Sequence, residues 1–230
     1  MSPVTNPPEA APVRPVLNRG RVLTGALAYV DEHGIDALSM HKLGTRLGVR
    51  GMSLYNHVEG KDGLLDGLVD LMWSEIDTDT ARFPGWEPAA RGLADALRAL
   101  VQRHPNAAPL IMTRQIIPVN ALRVADAYLR AMRDDGVPEQ SAAALLRTLI
   151  SYALGQTLAE VRYAPPGAAD DDAERARRVR TLIPDGTPGD LAHVANLVCG
   201  ECGTTRQFDI GIDLMIRGLA AYLDSLDDAN

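Results

Sequence analysis

The sequence predicts an all-α protein. Apolar residues recur at spacings of three and four along most of the 230 residues, which is the period of a helix with one buried face. Helix-capping residues and helix breakers stand at the ends of these stretches, and no segment reads convincingly as a β-strand. We therefore predict a flexible arm (residues 1–16, with five prolines), an N-terminal domain of three helices (17–62) and a larger helical C-terminal domain (63–230).

The composition excludes several classes of protein. The chain has 46% hydrophobic and 23% charged residues, as in an ordinary globular protein, and its two cysteines fit a reducing compartment. No run of about 18 apolar residues occurs, and the N-terminus lacks the apolar core of a signal peptide, so we expect a cytoplasmic protein with no membrane contact. The net charge of −7 is the sum of +1 over residues 17–62 and −8 over residues 63–230, so only the first domain can approach a polyanion without strong repulsion.

The N-terminal domain has the pattern of a helix-turn-helix. The first helix follows Asn18, a good N-cap, and ends at Gly34. Its inward face is formed by Val22, Leu23, Ala26, Leu27 and Val30. A second helix follows Ser39 and ends at Gly48, which leaves almost no connector, so the third helix over 50–56 must start at once and cross it steeply.

The C-terminal domain is predicted to be a larger set of helices. A fourth helix over 61–77 links the two domains, and a polar connection over 164–190 holds a short helix over 173–182. The other helices are predicted over 88–104, 107–114, 118–135, 139–163 and 205–226. The helix over 139–163 is apolar on two faces, which favours one face for the core and the other for a partner.

Residues 17–70 resemble the DNA-binding segment of the tetracycline-repressor (TetR) family of bacterial regulators. The resemblance is carried by Gly34, Leu43, Leu47, Gly48, Val49, Leu54, Tyr55, His57, Val58, Lys61, Leu64 and Leu65. It continues more weakly through 85–105, 151–155 and 208–219, which resemble the regulatory domain of the tetracycline-repressor subgroup. The resemblance implies a homodimeric transcriptional regulator without a cofactor, most often a repressor that a small-molecule effector releases from a palindromic DNA operator by tilting the fourth helix.

A helix-turn-helix places the start of its second helix against base edges in the major groove, while neighbouring helix ends hold phosphates. We therefore expect base or adjacent backbone contacts from Arg50, Gly51, Met52 and Ser53. Arg50 suits guanine, Met52 suits a thymine methyl group, and Gly51 permits close approach. Contacts mainly to phosphates are expected from Ser39, His41, Tyr55, Asn56, His57 and Lys61. The alternative for Tyr55 and His57 is that they pack the third helix against the first.

The resemblance places the dimer interface on the helix over 139–163 and on the last helix. From their apolar stripes we expect the interface to contain Leu145, Leu149, Ile212, Ile216 and Leu219. The alternative is that both helices belong entirely to the core of one protomer.

The resemblance also implies that residues 78–230 bind the effector. We expect the cavity to be lined by Trp73, His104, Met112, Thr113, Arg114, Tyr128, Ser151, Tyr152 and Gln156. This set suits a flat, largely apolar ligand with Arg114 or Gln156 as polar anchor, although each residue can equally be plain core. Tetracycline-binding members hold drug and Mg²⁺ with two histidines whose positions match Asp77 and Leu110 here, so Mg-tetracycline is not the expected effector.

Two other functions and one motif stay open. An enzyme is disfavoured because the chain has no G-x-S-x-G, H-E-x-x-H, P-loop or G-x-G-x-x-G signature, and a DNA-binding regulator without any effector is the other alternative. Cys199 and Cys202 form half of a typical zinc site or a thiol pair, but two reduced cysteines in a loop are favoured and no metal site is predicted.

Overall fold

The computed structural model describes residues 16–163, 172–199 and 205–227, and every α-helical or 3-10 element in these ranges confirms the all-α prediction. Residues 1–15 of the predicted arm and Cys202 lie outside the described residues, and the side chain of Cys199 does too. Within the described part of the chain, no helix is both long enough and apolar enough to cross a lipid bilayer.

Three helices form the N-terminal domain: α1 (Arg19–His33), α2 (Met40–Leu47) and α3 (Gly51–Leu54). The side chain of Asn18 accepts a hydrogen bond from the Arg21 N–H at 2.8 Å and caps α1, and Ser39 caps α2 in the same way. One turn of 3-10 helix, Ile35–Ala37, connects α1 and α2. The buried face predicted for α1 is confirmed, since its five apolar residues are at most 5% exposed.

The turn between α2 and α3 depends on two glycines. Gly48 has φ +70° and ends α2, while the Val49 N–H donates to the Gly44 carbonyl at 2.9 Å. A Cβ on Gly44 would lie 2.8 Å from the Gly51 nitrogen and 2.9 Å from its Cα, so a side chain there would push α3 away from α2. The third helix ends at Leu54, two residues earlier than predicted, because the Leu54 carbonyl accepts from both His57 and Val58 and closes a turn.

Helix α4 (Gly60–Trp73) packs against α1 on one side and against the C-terminal domain on the other. It is shorter than the predicted 61–77. After Trp73, the N–H groups of Glu75 and Ile76 bond to carbonyls three residues back instead of four, which tightens the chain into a turn. Ile76 still reaches the core through this turn and is 5% exposed.

The C-terminal domain contains α5 (Trp86–Arg103), α6 (Pro109–Thr113), α7 (Val119–Asp134), α8 (Glu139–Tyr163), α9 (Asp172–Leu182), α10 (Gly189–Cys199) and α11 (Thr205–Asp227). Helix α5 is central and packs against α7, α8 and α11. Its buried side chains belong to one apolar core that continues through α4 into the N-terminal domain. The two domains therefore share a core instead of being joined by a free linker.

Helices α9 and α10 pack against each other. Helix α10 is not among the helices predicted from the sequence. Its apolar residues Leu191, Val194 and Val198 have helical spacing, but they are 49–66% exposed, so no core contact accompanies the pattern.

Candidate DNA-binding surface and effector site

The tip of the N-terminal domain is formed by the residues that open α3. Arg50 is exposed and extended ahead of the helix, and Met52 is 76% exposed. Ser53 is half-buried. Gly51 was expected to allow close approach to DNA, and it also allows close packing of α3 on α2. A Cβ at this position would lie 3.2 Å from the Met40 carbonyl oxygen on α2. The tip therefore offers one long cation and one flexible apolar side chain to a partner.

Tyr55, Asn56 and His57 line one shallow groove with a volume of about 540 Å³. Tyr55 is 50% exposed, which argues against a role confined to interior packing, while His57 is half-buried. The groove also includes Arg19 at the start of α1, a residue that the sequence analysis missed. Arg19 could have been predicted as a phosphate contact from its position directly after the N-cap Asn18, since helix starts commonly hold phosphates.

The remaining predicted phosphate contacts lie at helix starts. Ser39 accepts from the Lys42 N–H at 3.2 Å as the cap of α2, and His41 is exposed in the first turn of α2. Lys61 is exposed in the first turn of α4. The backbone of Gly51 lies beside His41, so the starts of α2 and α3 adjoin.

One polar stripe on α4 attaches it to the C-terminal domain. The Arg114 guanidinium donates to Asp66 at 2.6 Å and to Asp62 at 2.9 Å, and Asn120 donates its backbone and side-chain N–H groups to the Asp70 carboxylate. The hydrogen bonds from Asp66 and then Asp62 raise the pKa of Arg114 above its ordinary value. Arg114 is thus engaged by α4, and its role as an effector anchor stays a prediction.

Several other predicted cavity residues lie in the core or at the surface of the described part of the protomer. Trp73 and Tyr128 are buried in the core, and burial raises the pKa of the Tyr128 phenol, which donates to the Asp77 carbonyl at 3.3 Å. Met112, Thr113 and Ser151 are exposed at the surface instead.

Tyr152 joins α8 to α11. Its hydroxyl donates to the Gln207 carbonyl at 2.9 Å, and its ring lies over the position that a Cβ of Gly211 would occupy. Burial, with a smaller contribution from Asp209, raises the pKa of the Tyr152 phenol. Tyr152 is therefore a structural contact between two helices.

Gln156 is the predicted cavity residue with unused hydrogen-bonding capacity. Its Nε2 is buried and has no hydrogen-bond partner among the described residues. One turn before it Tyr152 contacts α11, and one turn after it Glu160 accepts from Arg98 of α5 at 2.7 and 3.0 Å. An unpaired buried N–H group is costly, so this position favours a hydrogen-bond acceptor opposite Nε2.

His104 is 7% exposed and lies between two carboxylates. Asp31 of α1 is 2.8 Å from its Nδ1, and Glu75 is 3.1 Å from its Nε2. Both ring nitrogens are therefore engaged within the protomer, and the assignment of His104 to the effector cavity stays a prediction.

Four of the predicted dimer residues belong to the core of the protomer. Leu145, Leu149, Ile212 and Ile216 are at most 6% exposed in a single protomer, and Leu145 also borders a surface groove between α8 and α11 together with Leu219 and Tyr222. Leu219 is half-buried. The outer faces of the same helices carry other residues: Ala144, Thr148, Ser151 and Gly155 on α8, and Ile210, Leu214 and Tyr222 on α11.

The two positions that match the histidines of tetracycline-binding members carry no histidine. Asp77 is exposed and bonds to Arg82 at 2.5 Å, while Leu110 is buried. Within residues 16–163, 172–199 and 205–227, no group of three His, Cys, Asp or Glu side chains gathers as a metal site.

Comparison with known proteins gives one consistent family. The family described as tetracycline repressor-like, C-terminal domain, matches residues 83–223. The class A tetracycline repressor of Escherichia coli is 31% identical over 89% of this chain and 91% of its own length. The crystal structure of ActR of Streptomyces coelicolor in complex with actinorhodin is similar at 25% identity and a TM-score of 0.71, over 90% of this chain and 98% of that chain. BioQ of Mycobacterium smegmatis, solved with its natural double-stranded DNA operator, is 26% identical with a TM-score of 0.61. This similarity covers 90% of this chain and 99% of that chain. This chain belongs to the tetracycline repressor-like (TetR) family of transcriptional regulators, which are not enzymes.

Proposed function

We propose that this chain is a homodimeric repressor that leaves a palindromic DNA operator when a small, largely apolar effector binds its C-terminal domain. The observation that carries the proposal is the α2–α3 unit, whose tip exposes Arg50 and Met52 beside the groove of Tyr55. The similarity to BioQ, solved with its operator, supports double-stranded DNA as the partner.

Within this proposal, α3 reads bases and the surrounding helix starts hold the backbone. Arg50 donates to a guanine edge and Met52 contacts a thymine methyl group. Tyr55, Lys61 and the additional residue Arg19 contact phosphates, which position the domain without reading sequence. Such a small unit makes few phosphate contacts, so a single copy binds weakly.

Dimerisation supplies the second unit. We place the interface on the outer faces of α8 and α11, where Leu214 is 68% exposed and Tyr222 is 54% exposed. The small side chains of Ala144 and Gly155 allow close approach of two α8 helices. A two-fold axis through this face presents both α3 helices to half-sites about one DNA turn apart.

The effector is proposed to bind in the interior of the C-terminal domain with Gln156 as its polar anchor. The free Gln156 amide requires an acceptor, such as a carbonyl or ether oxygen, within otherwise apolar surroundings. The similarity to ActR, solved in complex with actinorhodin, supports a small-molecule effector. Without histidines at the positions of Asp77 and Leu110, Mg-tetracycline is a poor candidate.

Coupling between the two sites runs through α4. The stripe of Asp62, Asp66 and Asp70 is held by Arg114 after α6 and by Asn120 at the start of α7. A ligand that shifts α6 and α7 moves these partners and tilts α4 together with α1, against which it packs. The effector must bind better to the tilted state, and the operator then weakens effector binding by the same factor.

A regulator of this kind works where the chromosome is, so we propose a cytoplasmic location. The alternative, a DNA-binding regulator without an effector, leaves the free Gln156 amide unexplained.

The experiment selects duplexes from the source genome with the purified full-length chain and measures their binding by fluorescence anisotropy. The proposal expects enrichment of an inverted repeat that is bound by the dimer. Absence of any enriched duplex, with a monomeric chain in solution, overturns it.

The effector is tested by thermal shift against a panel of metabolites and antibiotics. A compound that raises the unfolding midpoint of the wild type should raise that of Gln156→Met less, while the variant still binds the selected duplex. A panel ligand that stabilises both proteins equally excludes Gln156 as the anchor.

A further inference from the structure

Asp66 of α4 lies between the C-terminal domain and the proposed DNA-binding surface. On the side of α6, its carboxylate accepts from the Arg114 Nε at 2.6 Å. On the other side, the same residue lines the groove of Tyr55, Asn56 and His57. Its side chain is 33% exposed, so it is partly shielded from water. Of the three carboxylates that attach α4, Asp66 is therefore the one that faces both surfaces.

Arg19 reaches the same groove from the start of α1. Helix α1 crosses α4 closely at Gly67, where a Cβ would lie 2.5 Å from a methyl carbon of Leu23 and 3.3 Å from an Arg19 nitrogen. The Arg19 guanidinium thus lies over the residue next to Asp66. Since an arginine side chain has several rotatable bonds, this cation can turn toward the Asp66 carboxylate or outward to a phosphate.

Arg114 neutralises the charge of Asp66 in the structure. A partly buried carboxylate that loses its donor is unfavourable, and it attracts another cation within reach. Of the residues that line the groove, Arg19 carries the permanent positive charge. The second carboxylate of the groove, Glu59, is exposed and hydrated whether or not Arg114 is in place, so it does not respond to α6.

We propose that Asp66 is a positioning residue that leaves Arg19 to an operator phosphate while Arg114 is bound and binds Arg19 itself when Arg114 is withdrawn. The inference rests on the proposed operator binding and specifies how the effector site changes a DNA contact. A ligand that displaces α6 removes the Arg114 cation from Asp66, and Asp66 then competes with the DNA backbone for Arg19. One phosphate contact is lost in each protomer, in addition to any tilt of α4.

The test uses Arg114→Gln to produce the withdrawn state without an identified effector, since glutamine carries no charge. This variant, Asp66→Asn and the double variant are compared with the wild type, each with Arg19 present and with Arg19→Gln. The affinity of the full-length proteins for the selected duplex is measured by anisotropy at several salt concentrations. The matched control is Asp62→Asn, because Asp62 also accepts from Arg114, at 2.9 Å, but is 85% exposed outside the groove.

We expect Arg114→Gln to lower operator affinity by about fourfold to 25-fold, because one exposed ionic contact contributes about twofold to fivefold and the dimer loses two. The slope of log affinity against log salt should become shallower by about 1.8, which is about 0.9 for each of two phosphates. Adding Asp66→Asn should restore both affinity and slope, whereas adding Asp62→Asn should restore neither. With Arg19→Gln present, Arg114→Gln should leave the slope unchanged.

Arg114→Lys separates charge from side-chain shape. It keeps the positive charge beside Asp66, so it should keep the wild-type slope, and a loss equal to that of Arg114→Gln contradicts the inference. An Arg114→Gln protein that does not fold is replaced by Arg114→Met, which keeps an unbranched side chain without charge. Thermal midpoints identify variants whose weaker binding comes from lost stability.

The alternative is that Arg114 acts only by attaching α4. Arg114→Gln then lowers affinity equally with and without Arg19, and Asp66→Asn restores nothing because it weakens the same attachment. Either result overturns the inference while operator binding remains, and so does an unchanged affinity and slope of Arg114→Gln. Failure of the folded wild type to bind any selected duplex is instead the failure of the proposed function.

Discussion

The close contact between α2 and α3 predicts a large effect for a small substitution, Gly44→Ala. The added Cβ would meet the Gly51 nitrogen at 2.8 Å, its Cα at 2.9 Å and the Val49 carbonyl oxygen at 3.0 Å. All three are backbone atoms, so α3 itself must move. Overpacking of this kind costs about 1 to 3 kcal/mol, and the helix preference of alanine returns about 1 kcal/mol.

We expect a net loss of up to about 2 kcal/mol, which lowers the thermal midpoint by up to about 8 °C for a chain of this length. Operator affinity should fall by about tenfold or more, because a displaced α3 loses at least one base contact. The matched control is Gly20→Ala in α1, where the Cβ would meet only the Asn18 Oδ1 at an ordinary 3.5 Å. Calorimetry and anisotropy measure the two effects. If Gly44→Ala equals Gly20→Ala in both, the contact between α2 and α3 does not exist as described.

Further substitutions test the DNA surface, the dimer face and a buried phenol. Arg50→Ala should relax base preference at one operator position by about 1 to 3 kcal/mol, whereas Lys61→Ala should weaken all duplexes and reduce the salt dependence; identical selectivity in a duplex selection would contradict this division. Leu214→Asp should give a monomer in light scattering, because it places a carboxylate on the proposed interface, while Leu122→Asp, at an exposed position of α7, should remain dimeric. Burial raises the pKa of Tyr128, so the folded protein retains a proton that the unfolded chain releases above about pH 10, and stability falls as pH rises. Tyr128→Phe should flatten this fall in the thermal midpoint, and an unchanged slope would count against burial as its cause.

The helices of the N-terminal domain were predictable because local signals there agree with one another. The caps Asn18 and Ser39, the stops Gly34 and Gly48 and the buried stripe of α1 all stand in the sequence at the expected positions. The ends of α3 and α4 were less predictable. These ends depend on which carbonyl accepts from each N–H group, as at Leu54. The packing of the neighbouring helices determines those hydrogen bonds.

Periodicity showed that α8 and α11 have apolar faces. It could not show whether those faces pack against the core of the protomer or against a partner. Leu149 and Ile212 are fully buried inside the protomer, while the outer faces that remain for a partner have small or isolated apolar residues. An outer face with so few apolar residues cannot be recognised as an interface from the pattern of a single sequence. The same holds for Arg114, whose partners Asp62 and Asp66 lie about 50 residues away in the chain.

The attachment of α4 through three regularly spaced carboxylates has a practical consequence for building biosensors. Because Asp62, Asp66 and Asp70 and their partners Arg114 and Asn120 all lie after the start of α4, a chimaera can exchange everything before residue 60 and retain them. Outside the shared apolar core, Asp31 is the polar contact that the donor segment has to supply at the matching place in its first helix. Genetic circuits could then pair this chain's effector with promoters that it does not itself recognise.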